Sequence, residues 1–156
     1  MHLYLVQHGM AKSREEDPER GLTAQGSEDT VRVAGLLSLF SRPQPARILH
    51  SGKARARQTA ELIGQQLRVD MVEAAPDLTP DADPQLWAAR LDEMDEELML
   101  IGHLPHLERL ASLLLCGDAE RGMVRFSNAG VLCLMRDATR RYRTEWMLVP
   151  DLLRSL

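Results

Sequence analysis

Three segments of the sequence place a chemically versatile side chain soon after a short apolar run. His8 follows residues 3–6 (LYLV), His103 follows residues 98–102 (LMLIG), and Arg55 lies shortly after a third such run. An imidazole can act as a nucleophile near neutral pH, and a guanidinium binds a phosphate through two parallel hydrogen bonds. This combination predicts a site for a phosphoryl group, provided that the fold brings the three side chains together.

The apolar runs before these residues are typical of strands that are buried on both faces. Residues 46–50 form the third run, and helices are predicted for residues 23–40 and 51–67, where apolar side chains recur at helical spacing. This alternation predicts an α/β fold, a three-layer α/β/α sandwich with a mostly parallel central sheet. Further predicted elements are a strand at 69–72, a loop at 76–84, helices at 85–94 and from Pro105 to about residue 116, and strands at 130–135 and 142–149.

Two of these helices have a side chain at their start that can cap them. Thr23 is expected to cap the first helix and Ser51 the second, because hydroxyl groups accept hydrogen bonds from the unpaired N–H groups of a first helical turn. The apolar face of the first helix is expected to consist of Val31, Ala34, Leu37 and Phe40.

The predicted sheet offers a way to bring the reactive residues to one place. Ligands of open α/β sheets bind at the carboxyl ends of the strands. Gly9 lets the backbone turn sharply beside His8, and Arg55 lies in the first turns of a helix, whose side chains lean toward the N-terminus. His103 immediately precedes a helix start, which favours anions. The three side chains are therefore expected to share one edge.

Composition indicates the class of protein. The chain has 156 residues, of which 44% are hydrophobic and 27% charged, and this predicts one folded domain covering residues 1–156. A formal net charge of -4 gives no reason to expect a nucleic acid or a membrane surface as partner, because both require a concentrated positive field. The first apolar run is too short for a signal-peptide core, and Cys116 and Cys133 suit a reducing compartment, so the cytoplasm is the expected location.

Each of the three residues also has an ordinary structural interpretation. A histidine at a strand end is usually a surface or core residue, an arginine on a helix is often solvated, and a histidine before Leu-Pro is usually a loop residue. His106 is expected on an exposed first helical turn. Zinc held by His8, His103 and His106 is an alternative, but the HxxxH and HxH spacings typical of zinc ligands do not occur. Neither a metal nor another cofactor is predicted.

Four segments, in order along the chain, resemble motifs of the histidine phosphatase superfamily. Residues 5–9 (LVQHG) resemble its Arg-His-Gly signature, and residues 20–26 (RGLTAQG) resemble R-P-L-T-x-x-G. Residues 51–59 (SGKARARQT) are similar to S-P-x-x-R-A-x-Q-T, and residues 102–105 (GHLP) to the second-histidine motif. Segments DLTP and FSNAG extend the resemblance to about residues 2–135, and the compact chain points to the small SixA branch, the phosphohistidine phosphatases.

The resemblance implies a double displacement. His8 would attack phosphorus in line and become phosphohistidine, which water would then hydrolyse, while Arg55 and His103 would stabilise the charge on the phosphoryl oxygens. The resemblance also implies substrate contacts at Gln7, Gly9, Arg20 and Leu104. Ser51 is expected to cap its helix rather than to bind the ligand.

The sequence departs from the family pattern at Gln7, which replaces the arginine of the first motif by a neutral amide. Losing that charge is expected to cost a few kcal/mol of transition-state stabilisation, which predicts a slower enzyme or a non-catalytic module that binds phosphate or a phosphoprotein. Gly21 and Gly52 also stand where proline is usual.

The short chain has little room for the lid that carries a glutamate acid in larger relatives. Among the loop aspartates, Asp77, Asp81 and Asp83 are possible acids, although such residues mostly form turns. Phosphohistidine has a leaving group that needs little help from an acid, so the expected substrate is a protein with a phosphohistidine phosphotransfer domain. A small phosphorylated metabolite, hydrolysed by the same mechanism, is the alternative.

Overall fold

The computed structural model describes residues 1–154, and within them six strands and four α-helices alternate along most of the chain. The elements are β1 (His2–Gln7), α1 (Ala24–Leu39), β2 (Arg47–His50), α2 (Ala54–Leu67), β3 (Val72–Ala74), α3 (Pro84–Asp92), β4 (Leu98–Gly102), α4 (His106–Cys116), β5 (Val131–Arg136) and β6 (Tyr142–Leu148), followed by a 3-10 turn at Pro150–Leu152. In the described part of the chain, no helix is both long enough and apolar enough to cross a membrane.

The strands form one sheet in the order β3-β2-β4-β1-β5-β6. Strands β3, β2, β4 and β1 run parallel to one another, whereas β5 is antiparallel to β1 and β6 is antiparallel to β5. Helices α1 and α2 pack on one face of the sheet and α3 and α4 on the other. The predicted α/β/α sandwich with a mostly parallel sheet is confirmed.

The central strands are apolar throughout because both of their faces are covered. Along β1, Leu3 and Leu5 pack into the cluster on the α3–α4 face, whereas Tyr4 and Val6 pack into the cluster on the α1–α2 face. Every residue of β4 is buried. Because alternate side chains of a strand point to opposite faces, only a continuous apolar run can fill both layers.

The starts of the first two helices differ from each other. Thr23 caps α1 as predicted, and its hydroxyl accepts a 2.9 Å hydrogen bond from the Gly26 N–H. The predicted cap at Ser51 is wrong, because α2 begins later, at Ala54, with Lys53 as its N-cap. The chain turns at Gly52 with a φ of +88°, a conformation closed to the proline that is usual there.

The buried face of α1 contains Ala34 and Leu37 as predicted, but not Val31 and Phe40. Val31 is 38% exposed and Phe40 is 77% exposed, whereas Val33 and the hydroxyl-bearing Thr30 are buried. The apolar pattern was misleading because the small and polar residues Gly26, Asp29 and Thr30 occupy buried positions. Phe40 follows the last residue of the helix as its C-cap.

The predicted strand at residues 69–72 is displaced toward the C-terminus, since β3 begins only at Val72. The reason is the end of α2: Arg68 adopts a left-handed conformation, and the Val69 N–H bonds back to the Gly64 carbonyl at 3.0 Å. These two residues therefore complete the helix terminus and are not free to extend the sheet.

The segment after β1 lies very close to the first turn of α1. A Cβ atom on Gly26 would lie 2.2 Å from the Met10 carbonyl oxygen, and one on Gly9 would lie 2.8 Å from the Thr30 Oγ1. Both distances are too short for nonbonded carbon and oxygen atoms. Glycine at these two positions therefore lets the loop that follows β1 rest on the helix and fixes the direction in which β1 ends.

We expect Gly26→Ala to lower the free energy of unfolding by about 3 kcal/mol, because the new methyl group would push the Met10 backbone off the helix. Gly35→Ala in the same helix is the matched control: its Cβ would meet no heavy atom within 4 Å among the described residues. That change should raise stability by about 0.5–1 kcal/mol through helix propensity. Urea unfolding measures both values, and equal effects of the two variants would contradict the close packing.

Candidate active site

Two histidines meet at the edge of the sheet where the parallel strands end. In the pairing of β1 with β4, Gln7 lies opposite Gly102, and the His8 N–H donates to the Gly102 carbonyl at 3.1 Å. The centroids of the His8 and His103 rings are 4.9 Å apart. The structure thus brings together residues that are far apart in the sequence, at the edge where the sequence predicted them.

A hydrogen bond to the backbone fixes the orientation of the His8 ring and determines which of its two nitrogens carries the proton. Its Nδ1 lies 2.7 Å from the Gly9 carbonyl oxygen, and a carbonyl accepts only from a protonated nitrogen, so Nδ1 carries the hydrogen and Nε2 carries the lone pair. Burial lowers the pKa of His8 to about 4 despite the Gly9 bond, and the charges of Arg55 and Arg20 lower it further. His8 is therefore neutral at pH 7, the form that a nitrogen nucleophile requires.

The backbone around His8 is fixed from two sides. The Gly9 N–H donates to the Thr59 hydroxyl at 2.9 Å, and that hydroxyl donates to the Arg55 carbonyl at 2.7 Å. From the other side, the Asn128 amide donates to the His8 carbonyl at 3.1 Å. Thr59 therefore ties the end of β1 directly to the helical turn that carries Arg55.

Three side chains that hold the backbone around the site were not among the predicted site residues. They are Thr59 and Asn128, and Gln58, which accepts a hydrogen bond from the Leu22 N–H. Each lies in a segment that resembles a family motif, which was the available signal. Their positions on a helix or in a loop gave no reason to single them out. A side-chain hydroxyl or amide that bonds to a backbone group remote in sequence cannot be recognised until the fold is known.

Arg55 lies at the start of α2 and lacks a carboxylate partner among residues 1–154. Its Nε is buried, and no atom of the described residues accepts a hydrogen bond from it. Burial lowers the pKa of Arg55, and the charges of Arg20 and Arg14 lower it further. A guanidinium in this situation is stabilised by an anion, and phosphate fits its fork of donors.

Arg20 reaches the site from the loop between β1 and α1. The backbone holds that loop through a hydrogen bond from the Lys12 N–H to the Gly21 carbonyl (2.9 Å), and the Arg20 Nε donates to the Lys12 carbonyl at 3.1 Å. The Leu22 N–H donates to the Gln58 side chain of α2 at 2.7 Å, so that the loop is fastened beside Arg55.

The charged groups that shift the pKa values of His8, Arg55 and His103 are all cationic. They are Arg14, Arg20, Lys53 and Arg55. The chain as a whole carries a formal net charge of -4, so this edge is a local concentration of positive charge. Such a field attracts an oxyanion and stabilises it.

His103 is 1% exposed, and burial lowers its pKa to about 3; the nearness of the His8 ring and the charge of Arg55 lower it further. Its Nε2 lies 2.6 Å from the Ser51 hydroxyl oxygen. Ser51, which was expected to cap α2, thus contacts the second histidine instead.

His106 differs from its prediction. It is 0% exposed rather than lying on an exposed turn, because α4 begins at this residue with its first turn against the core. Burial lowers its pKa to about 4. The alternative of zinc held by three histidines finds no support, since no group of three or more potential metal ligands occurs in the described part of the chain.

The remaining predicted site residues lie at or near the same edge. The Gln7 Oε1 is buried without a hydrogen-bond partner among residues 1–154, and either end of this amide can face a ligand. Leu104 is partly buried and packs against the core cluster on the α3–α4 face. The N–H of Gly9 is bound to Thr59 and its carbonyl to His8, so Gly9 contributes by orienting His8.

No protein-family model matches the sequence, and no curated protein matches it by sequence. Solved structures do match. A complex of the protein histidine phosphatase SixA with tungstate has 27% identity and a TM-score of 0.86, covering 98% of this chain and 99% of the other. A protein from Agrobacterium tumefaciens proposed to be a SixA phosphohistidine phosphatase has 23% identity and a TM-score of 0.78, with 96% and 97% covered. The alpha-ribazole phosphatase from Shigella flexneri has 16% identity and a TM-score of 0.78, with 96% and 97% covered.

These likenesses confirm the resemblance to the histidine phosphatase superfamily and to its SixA branch. The more distant structures show the fold, and the likeness to SixA, which extends over nearly the whole of both chains, supports a phosphatase. A phosphatase of the histidine phosphatase type also agrees with the cationic edge around His8. The substrate and the covalent step are separate questions.

We expect the stability of the protein to fall as the pH drops from about 7 to about 5. In the folded chain the pKa values of His8, His103 and His106 lie at about 4, 3 and 4, below the ordinary value of 6.5. The unfolded chain therefore binds more protons in this range, and each histidine lowers the free energy of unfolding by up to about 1.4 kcal/mol per pH unit. Urea unfolding at several pH values measures the slope.

His8→Gln is the matched variant, since it removes one of the three groups. Its slope should be smaller by the contribution of one proton. A free energy of unfolding that does not change between pH 7 and pH 5 would contradict the burial of neutral histidines at this edge.

Proposed function

We propose that this phosphatase, which has the fold of the histidine phosphatase superfamily, hydrolyses phosphohistidine on a protein through a covalent phosphohistidine intermediate on His8. The observation that carries the proposal is the 2.7 Å contact between His8 Nδ1 and the Gly9 carbonyl. It leaves the lone pair on Nε2, at a sheet edge where the surrounding charges are cationic. A neutral nitrogen nucleophile and an anion-binding surface are the two requirements of phosphoryl transfer to histidine.

In the first step, the His8 Nε2 lone pair forms a bond to phosphorus while the bond from phosphorus to the leaving nitrogen of the substrate breaks. Arg55, His103 and Arg20 bind the phosphoryl oxygens, whose negative charge they stabilise. The proton of His8 stays on Nδ1, and its hydrogen bond to the Gly9 carbonyl stabilises the positive charge that develops on the ring. The substrate ring takes a proton from solvent on its other nitrogen before the bond to phosphorus breaks, so that it leaves as neutral imidazole. The other product of this step is phosphohistidine at His8.

In the second step, water attacks phosphorus and the bond to Nε2 breaks. The electron pair of that bond returns to Nε2, so that His8 is again neutral with its proton on Nδ1. Inorganic phosphate leaves. The same cations serve both steps, because each step passes through a similar phosphoryl group in line with an entering and a leaving atom.

The choice of a phosphohistidine substrate follows from the acids of the site. Of the three candidate aspartates, Asp77 is paired with Arg90, Asp83 caps α3, and Asp81 is an exposed residue of the loop between β3 and α3. The charged groups that act on His8, Arg55 and His103 are cations. A leaving imidazole has an ordinary pKa of about 6.5 and departs without a strong acid, whereas an alkyl alcohol must be protonated as it leaves.

A small phosphorylated metabolite is the second candidate substrate. It is favoured by the likeness to the alpha-ribazole phosphatase, which shares the fold. Against it stands the short connection between β3 and α3, residues 75–83, which leaves little chain for a lid that encloses a small molecule. An open edge suits a histidine that is presented on a protein surface, such as that of a phosphohistidine phosphotransfer domain in the cytoplasm.

We expect His8→Ala to lower the release of phosphate from a phosphotransfer protein that carries phosphohistidine by roughly a thousandfold or more, because the intermediate forms on this ring. Wild-type protein should also carry acid-labile phosphate during turnover. The matched control is His2→Gln at the other end of β1, where the ring is paired with Glu97, and this variant should keep wild-type activity. The rate at which labelled phosphate is released measures the activity of wild type, His8→Ala and His2→Gln.

Two further substrates separate the candidates. p-Nitrophenyl phosphate, with a good leaving group, should be hydrolysed, and an alkyl phosphate should react at least about a hundredfold more slowly, since an acid is required for it. Fast hydrolysis of an alkyl metabolite phosphate would favour the second candidate. Folded wild type that releases no more phosphate than His8→Ala from any substrate would contradict the proposal and would make Gln7 the disabling substitution of a binding module.

A further inference from the structure

The two ring nitrogens of His103 lie in different surroundings. Nε2 is 2.6 Å from the Ser51 hydroxyl oxygen. Nδ1 is buried and has no hydrogen-bond partner among residues 1–154. A neutral imidazole has one donor and one acceptor nitrogen, so the position of its single proton decides what the ring can offer to a ligand.

The Ser51 hydroxyl has a second neighbour that indicates the direction of its bond. The backbone N–H of Lys53 points to the same oxygen at 3.4 Å, and an amide nitrogen can only donate. One lone pair of the Ser51 oxygen therefore faces Lys53, and the hydroxyl hydrogen is available for Nε2 of His103. In this arrangement Nε2 accepts, and the proton of the ring must lie on Nδ1.

The opposite arrangement is unfavourable at a site for phosphate. If Nε2 carried the proton, Nδ1 would present a buried lone pair with no donor among the described residues. Phosphoryl oxygens also present lone pairs, so the ring and the ligand would repel each other. A protonated Nδ1 instead supplies the donor that an oxyanion needs, and the buried donor gains its partner when the ligand binds.

We propose that Ser51 is a positioning residue that fixes the tautomer of His103: its hydroxyl donates to Nε2, so that Nδ1 carries the proton and donates it in a hydrogen bond to the phosphoryl group. The inference rests on the proposed function for the identity of the ligand, but the tautomer itself is a property of the free protein. Ser51 acts through His103 and does not itself contact the reacting atoms.

Imidazole nitrogen NMR tests the tautomer directly. In wild-type protein labelled with nitrogen-15 in its histidines, the His103 Nδ1 should be protonated and Nε2 unprotonated at pH 7, with the signals identified by their loss in His103→Gln. Addition of tungstate, used as an oxyanion probe, should shift the His103 Nδ1–H signal. Wild-type protein with the proton on Nε2 would overturn the proposal, whatever the behaviour of the variants.

Two variants of Ser51 test whether its hydroxyl fixes the tautomer of His103. Ser51→Ala should give a mixture of tautomers and lower kcat for p-nitrophenyl phosphate roughly tenfold to a hundredfold, the size typical of groups that orient a functional histidine. Ser51→Thr keeps a hydroxyl and should restore both the wild-type tautomer and most of kcat. Ser38→Ala is the matched control, since that hydroxyl bonds to the Gly35 carbonyl within α1.

The outcomes separate this inference from the proposed function. If His103 is protonated on Nδ1 but the protein never forms phosphohistidine at His8, the proposed function is contradicted and the tautomer assignment is retained. An active enzyme in which Ser51→Ala retains the wild-type His103 signals and the wild-type pH profile of kcat would overturn the role of Ser51 alone. A backbone amide spectrum of each variant establishes that it is folded.

Discussion

Parallel pairing of β1 with β4, in which Gln7 lies opposite Gly102, sets the distance between the two residues that follow these strands, His8 and His103. Both strands are buried on both faces, so a shift of the register by one residue would move each side chain into the other layer, where it would not fit the closely packed core. The hydrophobic core therefore fixes the spacing of the two imidazoles.

Once the two rings are in place, hydrogen bonds to the backbone decide what each nitrogen can do. Gly9 holds Nδ1 of His8, Thr59 holds Gly9, and Ser51 contacts Nε2 of His103. Around them the charges of Arg14, Arg20, Lys53 and Arg55 act on the two histidines or on Arg55 itself, and Arg55 Nε and His103 Nδ1 are buried with no partner among residues 1–154. In the free protein this arrangement is electrostatically unfavourable. A bound phosphoryl group relieves it by accepting hydrogen bonds from these donors.

Much of this could be predicted from the sequence, because the strongest signals are local. Continuous apolar runs predicted β1 and β4, the carboxyl ends of those strands placed His8 and His103 together, and Thr23 was recognised as a cap by its residue type. Ser51 was predicted to cap α2 for the same reason, but the N-cap of that helix is Lys53. The histidine that its hydroxyl contacts is remote in sequence, so the tertiary contact could not be seen.

The other errors have the same physical origin. His106 was expected to be solvated because histidine is polar, but its position on α4 faces the core. The face of α1 was misjudged because glycine, aspartate and threonine fill buried positions that an apolar pattern passes over. Gln7 remains the departure from the family pattern, and its unpartnered amide lies where the family carries a charged clamp.

The central claim is that the Gly9 carbonyl holds the proton of His8 on Nδ1 and thereby makes Nε2 the nucleophile. Phosphorus–nitrogen coupling in the NMR spectrum of the phosphorylated protein, labelled with nitrogen-15 in its histidines, identifies the bonded atom. The account predicts coupling of phosphorus to Nε2 of His8, with Nδ1 still protonated. A phosphoryl group on Nδ1 of His8, or on a different residue, would contradict it.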